Sequence, residues 1–366
     1  MRMQLLVDAP EFREALAEDL AAARRSTLVQ ALTFEGDSAG TGIAALLAAS
    51  PARDRRVLVD AFTRHVLSDR FRWRPRNLLC AAVWAEAWAT RRMLRRLTRQ
   101  GVAVRFTNPA GLLFRRFPAR NHKKLVAVDG RVAYLGGINF SDHNFAWHDL
   151  MLRIEDARVG GFLEEDFLAT WEGRDRAGSL RLPGLTLHAL DGRENETAFE
   201  EILDLVAGAR EEIFLECPYV TDPFTQELRR AARRGVRVTV LSPERHNVPF
   251  LREALAHAAA GSPLELRLYP DRMTHMKALL VDRRWLVLGS ANFDVWSYRS
   301  QQEYLAVVSE PRLVAEFRSR VAEPDVARSR PCPGPEGTRD SRGLDTRLAA
   351  LALVALLGAR ARGGAR

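Results

Sequence analysis

The sequence is short of lysine, of cysteine and of long apolar runs. Of its 55 basic residues only Lys123, Lys124 and Lys277 are lysines, and the rest are arginines. The three cysteines show no metal-ligand spacing and cannot all pair, which favours a reduced, cytoplasmic setting. No apolar run reaches the ~20 residues of a spanning helix, and the N-terminus lacks a signal-peptide core. We therefore expect a cytoplasmic protein without a signal peptide or a transmembrane helix.

The net charge limits the class of partner. The 366 residues carry a formal charge of +9, which predicts attraction to polyanions. Anionic phospholipid surfaces and nucleic acids both satisfy this, and composition does not choose between them. If the protein acts on a membrane, we expect it to work from the surface.

Helix and strand patterns alternate along most of the chain. A helical pattern at 9–25 leads into an apolar run at 26–34, and further strand patterns follow at 55–62 and 101–109. The same order recurs, with a helix pattern at 196–212 followed by strand patterns at 213–220, 235–243 and 264–270. Such alternation predicts an α/β fold.

One segment occurs twice. Residues 122–140, HKKLVAVDGRVAYLGGINF, align without a gap with residues 275–293, HMKALLVDRRWLVLGSANF, at an offset of 153. The repeat predicts a first domain at 1–175 and a second at 190–325, with a turn-rich junction between them. Residues 326–366 read as a disordered Pro- and Gly-rich linker followed by an apolar, arginine-rich tail.

Both copies contain the pattern H-x-K-x-x-x-x-D. In a strand, residues two apart share a face, so His122 lies beside Lys124 and His275 beside Lys277. The aspartates, Asp129 and Asp282, have the opposite parity and fall at a turn, which favours a structural role. Lys123 points to the other face, and the pattern gives it no part in the site.

Beyond each turn a second short strand ends in small residues and an asparagine, Asn139 or Asn292. Histidine, lysine and asparagine on adjacent strands make a pocket suited to phosphate, and we place Ser290 among its ligands. Two such histidines can divide the work, one neutral and attacking phosphorus, the other protonated for the leaving oxygen. Asp149 and Glu303, at matching positions before the next strand, would orient the imidazoles.

These motifs resemble the HKD motifs of the phospholipase D superfamily, in particular its cardiolipin synthase branch. The resemblance implies two tandem domains, each a mixed sheet flanked by helices, related by a pseudo-twofold axis with one active site at their interface. It implies that His122 forms a phosphohistidine and His275 is the general acid, while Lys124, Lys277, Asn139 and Asn292 hold the phosphate. No metal or other cofactor is implied. The substrate would be a phospholipid of the phosphatidylglycerol type.

Other functions stay open at this stage. A hydrolytic phospholipase D would use the same residues, since only the competition between water and an alcohol separates hydrolysis from transfer. A phosphodiesterase or nuclease acting on nucleic acid is less favoured, although the basic charge suits it. A binding module with a relic site is disfavoured, because both histidines are intact. The sequence leaves the oligomeric state open.

Residues 71–99 combine three tryptophans with many arginines. Tryptophan and arginine favour the headgroup zone of a membrane, which suggests an interfacial segment. The alternative is an ordinary helix that packs on the sheet and leaves a basic end in water.

Overall fold

The computed structural model describes residues 1–111, 114–334 and 341–363. The chain divides into two compact units, Met1–Ala177 and Gly178–Arg366. Each unit is built on one mixed β-sheet flanked by helices, which confirms the α/β class. The predicted pseudo-twofold relation and shared active site stay predictions.

The first unit contains a seven-stranded sheet and a separate two-stranded hairpin. Its strands are β1 (Arg2–Val7), β2 (Ser26–Ala31), β3 (Asp54–Asp60), β4 (Val66–Leu67), β5 (Arg70–Phe71), β6 (Ala103–Thr107), β7 (Leu125–Val128), β8 (Val132–Gly136) and β9 (Leu150–Glu155). The order in the sheet is β1-β9-β8-β7-β2-β3-β6, while β4 and β5 form the hairpin. The β2-β3-β6 portion is parallel and the rest is antiparallel.

Helices of the first unit connect and cover these strands. They are α1 (Asp8–Ala22), α2 (Ser38–Ala49), α3 (Pro75–Leu78), α4 (Ala81–Arg99), α5 (Asp142–Phe145) and α6 (Ala157–Trp171), with a 3₁₀ turn at Ala61–Arg64. Helix α1 shows why they form: Phe12, Leu16 and Leu20 recur every fourth residue and are all buried. They pack on strand residues such as Val29 in one continuous core.

The second unit contains a nine-stranded sheet. Its strands are β10 (Gly178–Leu182), β11 (Leu185–Leu190), β12 (Glu212–Glu216), β13 (Arg237–Pro243), β14 (Glu265–Tyr269), β15 (Ala278–Val281), β16 (Trp285–Gly289), β17 (Glu303–Val308) and β18 (Arg330–Pro331). The order is β10-β11-β17-β16-β15-β12-β13-β14-β18. Its central seven strands repeat the arrangement of the first sheet, and β10 and β18 add one strand at each edge.

Helices of the second unit are α7 (Asn195–Gly208), α8 (Phe224–Arg233), α9 (Pro249–Ala259), α10 (Val295–Arg299), α11 (Pro311–Phe317), α12 (Glu323–Arg328) and α13 (Ser341–Gly363), with a π-helical turn at Arg318–Ala322. None of the helices within the described ranges is long and apolar enough to span a membrane.

Two boundaries differ from the sequence prediction. The second unit begins at Gly178 rather than at 190, because β10 and β11 already pair with its sheet.

The prediction of a disordered linker from residue 326 is also wrong for the first residues of that segment. β18 pairs with the open edge of β14, and the Arg267 guanidinium binds the carbonyl oxygens of Val326 and Ser329. Composition missed this because the partners are distant in sequence. Residues 335–340 lie outside the described residues, and the predicted tail forms α13.

Candidate active site

Equivalent β-strands carry the two motifs. β7 and β8 align with β15 and β16 at the offset of 153 found in the sequence. The loop after them is one residue longer in the second copy, since Gly136 pairs with Met151 but Gly289 pairs with Leu305. From there the offset is 154, and it makes Asp149 the equivalent of Glu303.

The histidine–lysine pairs lie in irregular segments just before β7 and β15, whereas the prediction placed them within the strands. The lysines make the same contact in both copies. Lys124 Nζ donates to the carbonyl oxygen of His122 at 2.8 Å, and Lys277 Nζ donates to that of His275 at 2.6 Å. All four side chains are buried. Each ammonium is therefore held beside the backbone of its own histidine.

The segment that carries His122 is fixed by the end of β3. The Asp60 carboxylate accepts from the Arg120 guanidinium at 2.7 Å and from the Asn121 N–H at 2.6 Å. The Asn121 side-chain oxygen accepts in turn from Gln30 Nε2 at 2.7 Å. Sequence reasoning missed this group, although a lone aspartate that ends an apolar strand was a signal for it.

Lys123 has a role that the pattern did not reveal. Its ammonium contacts both carboxylate oxygens of Asp166 on α6, at 2.8 and 2.7 Å, and both side chains are fully buried. Removing one partner of such a pair typically costs about 3–5 kcal/mol, because a buried charge is left without compensation. All three lysines of the chain are thus interior, which explains why a compact ammonium is kept where arginine is otherwise used.

The motif aspartates hold the turns. The Asp129 carboxylate accepts from the backbone N–H groups of Arg24, Arg25 and Ser26, at 2.7–2.9 Å for the shortest contact of each. Asp282 does the same for three consecutive N–H groups, those of 210–212, at 2.8–3.0 Å. Burial by itself would raise the pKa of Asp129, but the three N–H donors outweigh it and the pKa lies below its ordinary value. These carboxylates therefore stabilise the backbone of the segments that they contact, in agreement with the structural role predicted for them.

Two serine hydroxyls bind the carboxylate of the second copy. Glu303 is fully buried and accepts from Ser290 Oγ at 2.5 Å and from Ser297 Oγ at 2.9 Å. Ser290 Oγ also accepts from the Tyr304 N–H at 2.9 Å. In the structure the hydroxyl proton of Ser290 is donated to Glu303, and the phosphate-binding role of Ser290 stays a prediction. Ser297 was not identified from the sequence.

In the first copy, Gly137 stands at the position that Ser290 occupies in the second copy. A Cβ atom on Gly137 would lie 2.1 Å from Asp149 Oδ1, so the carboxylate lies directly against the glycine backbone. The same oxygen accepts from the Leu150 N–H at 2.8 Å. Glycine with the shorter aspartate replaces the serine and glutamate of the second copy.

The two asparagines have different surroundings. Asn139 Oδ1 accepts from the Thr33 N–H at 3.4 Å. Asn292 Oδ1 is buried and has no hydrogen-bond partner among the residues that the structure describes. A buried amide with unused hydrogen-bonding capacity is expected where a polar ligand binds.

Tyr219 joins the second histidine–lysine pair. Its ring centroid lies 6.1 Å from that of His275, and Lys277 Nζ lies 5.9 Å from it. Its hydroxyl donates to Asn247 Oδ1 at 2.8 Å, which fixes the ring. The tyrosine follows β12, a position that the sequence analysis did not connect with the site.

Asp294 is a further titratable group beside this site. It is the N-cap of α10, where its carboxylate accepts from the Ser297 N–H at 2.8 Å. Burial, followed by the nearby charge of Glu303, raises the pKa of Asp294 to about 7, although the Ser297 N–H and Lys277 act in the opposite direction. The sequence analysis assigned no role to Asp294.

Each copy thus places a buried histidine, a lysine ammonium, an asparagine and a carboxylate around the same two strands. An imidazole beside fixed cationic and amide donors suits attack on a phosphodiester. Two such sets in tandem on mixed sheets define an enzyme of the phospholipase D type.

Comparison with known proteins gives the family within this class. The sequence matches the family described as "Cardiolipin synthase, PLD-like domain" over residues 16–171 and 202–323, and the chain belongs to it. Cardiolipin synthase B of Escherichia coli is 25% identical over 338 residues, covering 84% of this chain and 76% of that protein. Cardiolipin synthase A of Pseudomonas aeruginosa is 27% identical over 358 residues, covering 90% and 67%.

A solved structure has the same fold. Phosphatidylserine synthase of Haemophilus influenzae matches with a TM-score of 0.70 at 16% identity, covering 98% of this chain and 95% of that one. At this identity the likeness concerns the fold.

Proposed function

We propose that the protein is a phosphatidyltransferase of the cardiolipin synthase type, acting on phospholipids such as phosphatidylglycerol. The observation that carries the proposal is the intact, buried histidine–lysine pair in both copies, with the same lysine-to-carbonyl contact in each. Family membership over most of the chain supports it.

In the first step, a neutral imidazole nitrogen of His122 attacks the phosphorus of the donor lipid. The bond between phosphorus and the leaving alcohol oxygen breaks, and protonated His275 supplies the proton that the alcohol carries away. The phosphatidyl group is then bonded to His122. Lys124 and Lys277 offset the negative charge on the phosphate oxygens, and Asn139 and Asn292 hold them.

In the second step, His275, now neutral, accepts a proton from the hydroxyl group of the acceptor. The hydroxyl oxygen attacks phosphorus, the bond to His122 breaks, and both histidines return to their starting states. With phosphatidylglycerol as both donor and acceptor, the products are cardiolipin and glycerol. Water as acceptor would give phosphatidic acid instead.

Asp149 and Glu303 are proposed as positioning residues for these imidazoles. The two serine hydroxyls hold the Glu303 carboxyl group in place, and a carboxylate held beside an imidazole can orient the ring and stabilise its cation. The substrate makes a membrane surface the natural partner, and we place the protein peripherally at the inner face of the membrane.

The first test is a lipid assay. Purified protein is incubated with phosphatidylglycerol vesicles, and the products are separated by chromatography. Cardiolipin with released glycerol is expected. Phosphatidic acid alone would make the protein a hydrolase, and cleavage of single-stranded DNA without any lipid product would make it a nuclease.

The second test separates the histidines. With radiolabelled donor, wild-type protein should carry an acid-labile phosphatidyl group, and His122→Ala should carry none. His275→Ala should turn over natural lipid at least about a hundredfold more slowly. It should still be labelled by a donor with a good aryl leaving group, which needs no acid. His257→Ala, an exposed histidine on α9, is the matched control. Wild-type turnover by His122→Ala would refute the covalent mechanism.

A further inference from the structure

A second basic site lies in the first unit, apart from the motif segments. A cavity of about 630 Å³ opens between the 3₁₀ turn after β3, helix α4 and strand β6. Four arginines line it, above an apolar floor that includes Leu94 and Phe106; they are Arg64, Arg72, Arg91 and Arg95. The volume lies in the range of pockets that hold small ligands.

The four guanidinium groups have no acidic partner within the described part of the chain. Arg64 lies 3.8 Å from the centroid of the Phe106 ring, and Arg72 lies 4.4 Å from that of Trp73. The Arg72 Nε atom is buried without a hydrogen-bond partner. Burial, and then the charge of Arg91, lower the pKa of Arg64. Several like charges converge here, and an anion from outside the described chain would relieve them.

Large exposed apolar side chains lie on the same segment as this cavity, and two of them, Trp73 and Trp84, pack against its Arg72. They are exposed in the structure, most of all Leu79 at 95% and Trp88 at 64%; the others are Trp73, Leu78 and Trp84. Monomeric proteins seldom expose so many neighbouring large apolar residues without a binding function.

Helix α4 brings the two features together. Trp84, Trp88, Arg91 and Arg95 follow one another at intervals of four, three and four residues, which places them along one side of the helix. The opposite side is buried in the unit through residues such as Met93. The interpretation of residues 71–99 as a helix packed on the unit is therefore confirmed for one side of α4, and the interfacial interpretation stays a prediction for the other side.

We propose that this side of α4, with Trp73 and Leu79, docks on an anionic phospholipid bilayer, and that the arginine cavity holds the phosphate headgroup of one lipid. We call these residues the docking surface. The choice of partner rests on the proposed function, because that bilayer holds its substrate. Tryptophan and leucine enter the interfacial layer, while arginine binds headgroup phosphates.

The local geometry favours a lipid over nucleic acid. The Trp73 and Trp84 rings meet edge to face at 5.9 Å, and their N–H groups donate to His65 Nδ1 and to the Leu78 carbonyl. Each indole is thus fixed by the protein, with an apolar edge outward. The almost fully exposed Leu79 offers nothing to a nucleotide, whereas an acyl chain would cover it.

The test measures binding of the full chain to vesicles by sedimentation. Vesicles of phosphatidylcholine alone are compared with vesicles that also contain phosphatidylglycerol. Arg91→Gln with Arg95→Gln removes two cavity charges, and Arg96→Gln with Arg99→Gln removes two exposed charges of the same helix outside the cavity. Because each basic residue at an anionic surface contributes about fivefold to binding, the cavity variant should bind about 30-fold more weakly. The control should lose less than about threefold.

A second measurement reports the position of Trp88. Lipids brominated on their acyl chains should quench part of the wild-type tryptophan fluorescence, and Trp88→Phe should lose much of that quenching while it still binds. Turnover of a short-chain phosphatidylglycerol below its micelle concentration should be the same in the cavity variant and the wild type, which shows that the variant folds. If wild-type protein turns over no lipid but the vesicle results hold, the proposed function fails and the docking surface stands.

Three results would overturn the inference. If both double variants lost the same amount of vesicle binding, the binding would be explained by general charge attraction. Binding of inorganic phosphate that is lost in the cavity variant, with vesicle binding unchanged, would make the cavity a site for a soluble phosphate. The same pattern with single-stranded DNA would make it a nucleic-acid site.

Discussion

The motif aspartates allow a direct test of whether the last residue of H-x-K-x-x-x-x-D takes part in catalysis or stabilises the fold. Asp129→Ala removes a carboxylate that accepts from three backbone N–H groups. Two of the donors belong to exposed residues, Arg24 and Arg25, and water can replace the lost acceptor there. The Ser26 N–H belongs to a buried residue, and loss of its charged acceptor costs about 1.5–3 kcal/mol.

The backbone at Asp129 adds a second contribution. Its φ of +54° lies in the left-handed region, which aspartate and asparagine tolerate better than alanine does. Together these effects predict a loss of about 2–4 kcal/mol in the free energy of unfolding of the first unit. For a unit of this size the melting temperature should fall by about 5–15 °C.

Calorimetry on the purified variant measures this shift. Asp129→Asn is the matched control, since it keeps the left-handed backbone and one acceptor oxygen, and it should lose about half as much. Well below the melting temperature, the kcat of Asp129→Ala should equal that of the wild type. An unchanged melting temperature combined with a large fall in kcat would refute the structural role. Because the pKa of Asp129 is lowered, its stabilising contribution is present above pH ~4 and is lost as the pH falls through its folded-state value.

Three further predictions concern buried groups. Gly137→Ala should drive a methyl group into the Asp149 carboxylate and destabilise the first unit by about 1–3 kcal/mol in urea unfolding; wild-type stability would show that the carboxylate moves aside freely. Ser297→Ala removes one of the two hydroxyl donors of Glu303, so kcat should fall and its pH profile should shift, whereas an unshifted profile would limit the serine to a structural part. Burial is the main cause that raises the pKa of Glu35 to about 8, so folding takes up a proton and stability declines as the pH rises from about 4.5 to about 8. Glu35→Gln should remove this decline and stabilise the protein near pH 9 by up to about 5 kcal/mol, and identical pH–stability curves would contradict it.

The motifs could be predicted from the sequence because the gapless alignment of the two copies shows which residues occupy equivalent positions. Two gapless copies gave the histidine–lysine pairs, the strands that follow them, and the turn positions of the aspartates. Alternation of helix and strand patterns gave the α/β class. Short strands whose partners lie far away in the chain were missed, such as β1, β10 and β18, since pairing depends on an available sheet edge rather than on local pattern.

The surroundings of the site were harder to predict for a related reason. Asp60 lies 62 residues before His122 in the sequence, and the Lys123–Asp166 pair joins a strand entry to a helix. The aspartate that ends β3 is a local signal for the first contact, whereas no local pattern marks the second. Ser290 was predicted to bind phosphate because a hydroxyl next to a motif suggests a ligand. In the structure this hydroxyl donates to Glu303, a fully buried carboxyl group that needs a hydrogen-bond donor. Such competition between partners is visible only in three dimensions.

The difference between the Gly137–Asp149 and Ser290–Glu303 pairs has an evolutionary consequence. An enzyme assembled from two identical chains must use one gene for both halves, so any substitution that suits one histidine is imposed on its twin. Fusion of the copies into one polypeptide removes that constraint. Here glycine with a short acid and serine with a longer acid have diverged at the same place in the fold. Each copy can therefore adapt to its own step of the reaction. A substitution in one copy does not change the equivalent residue of the other.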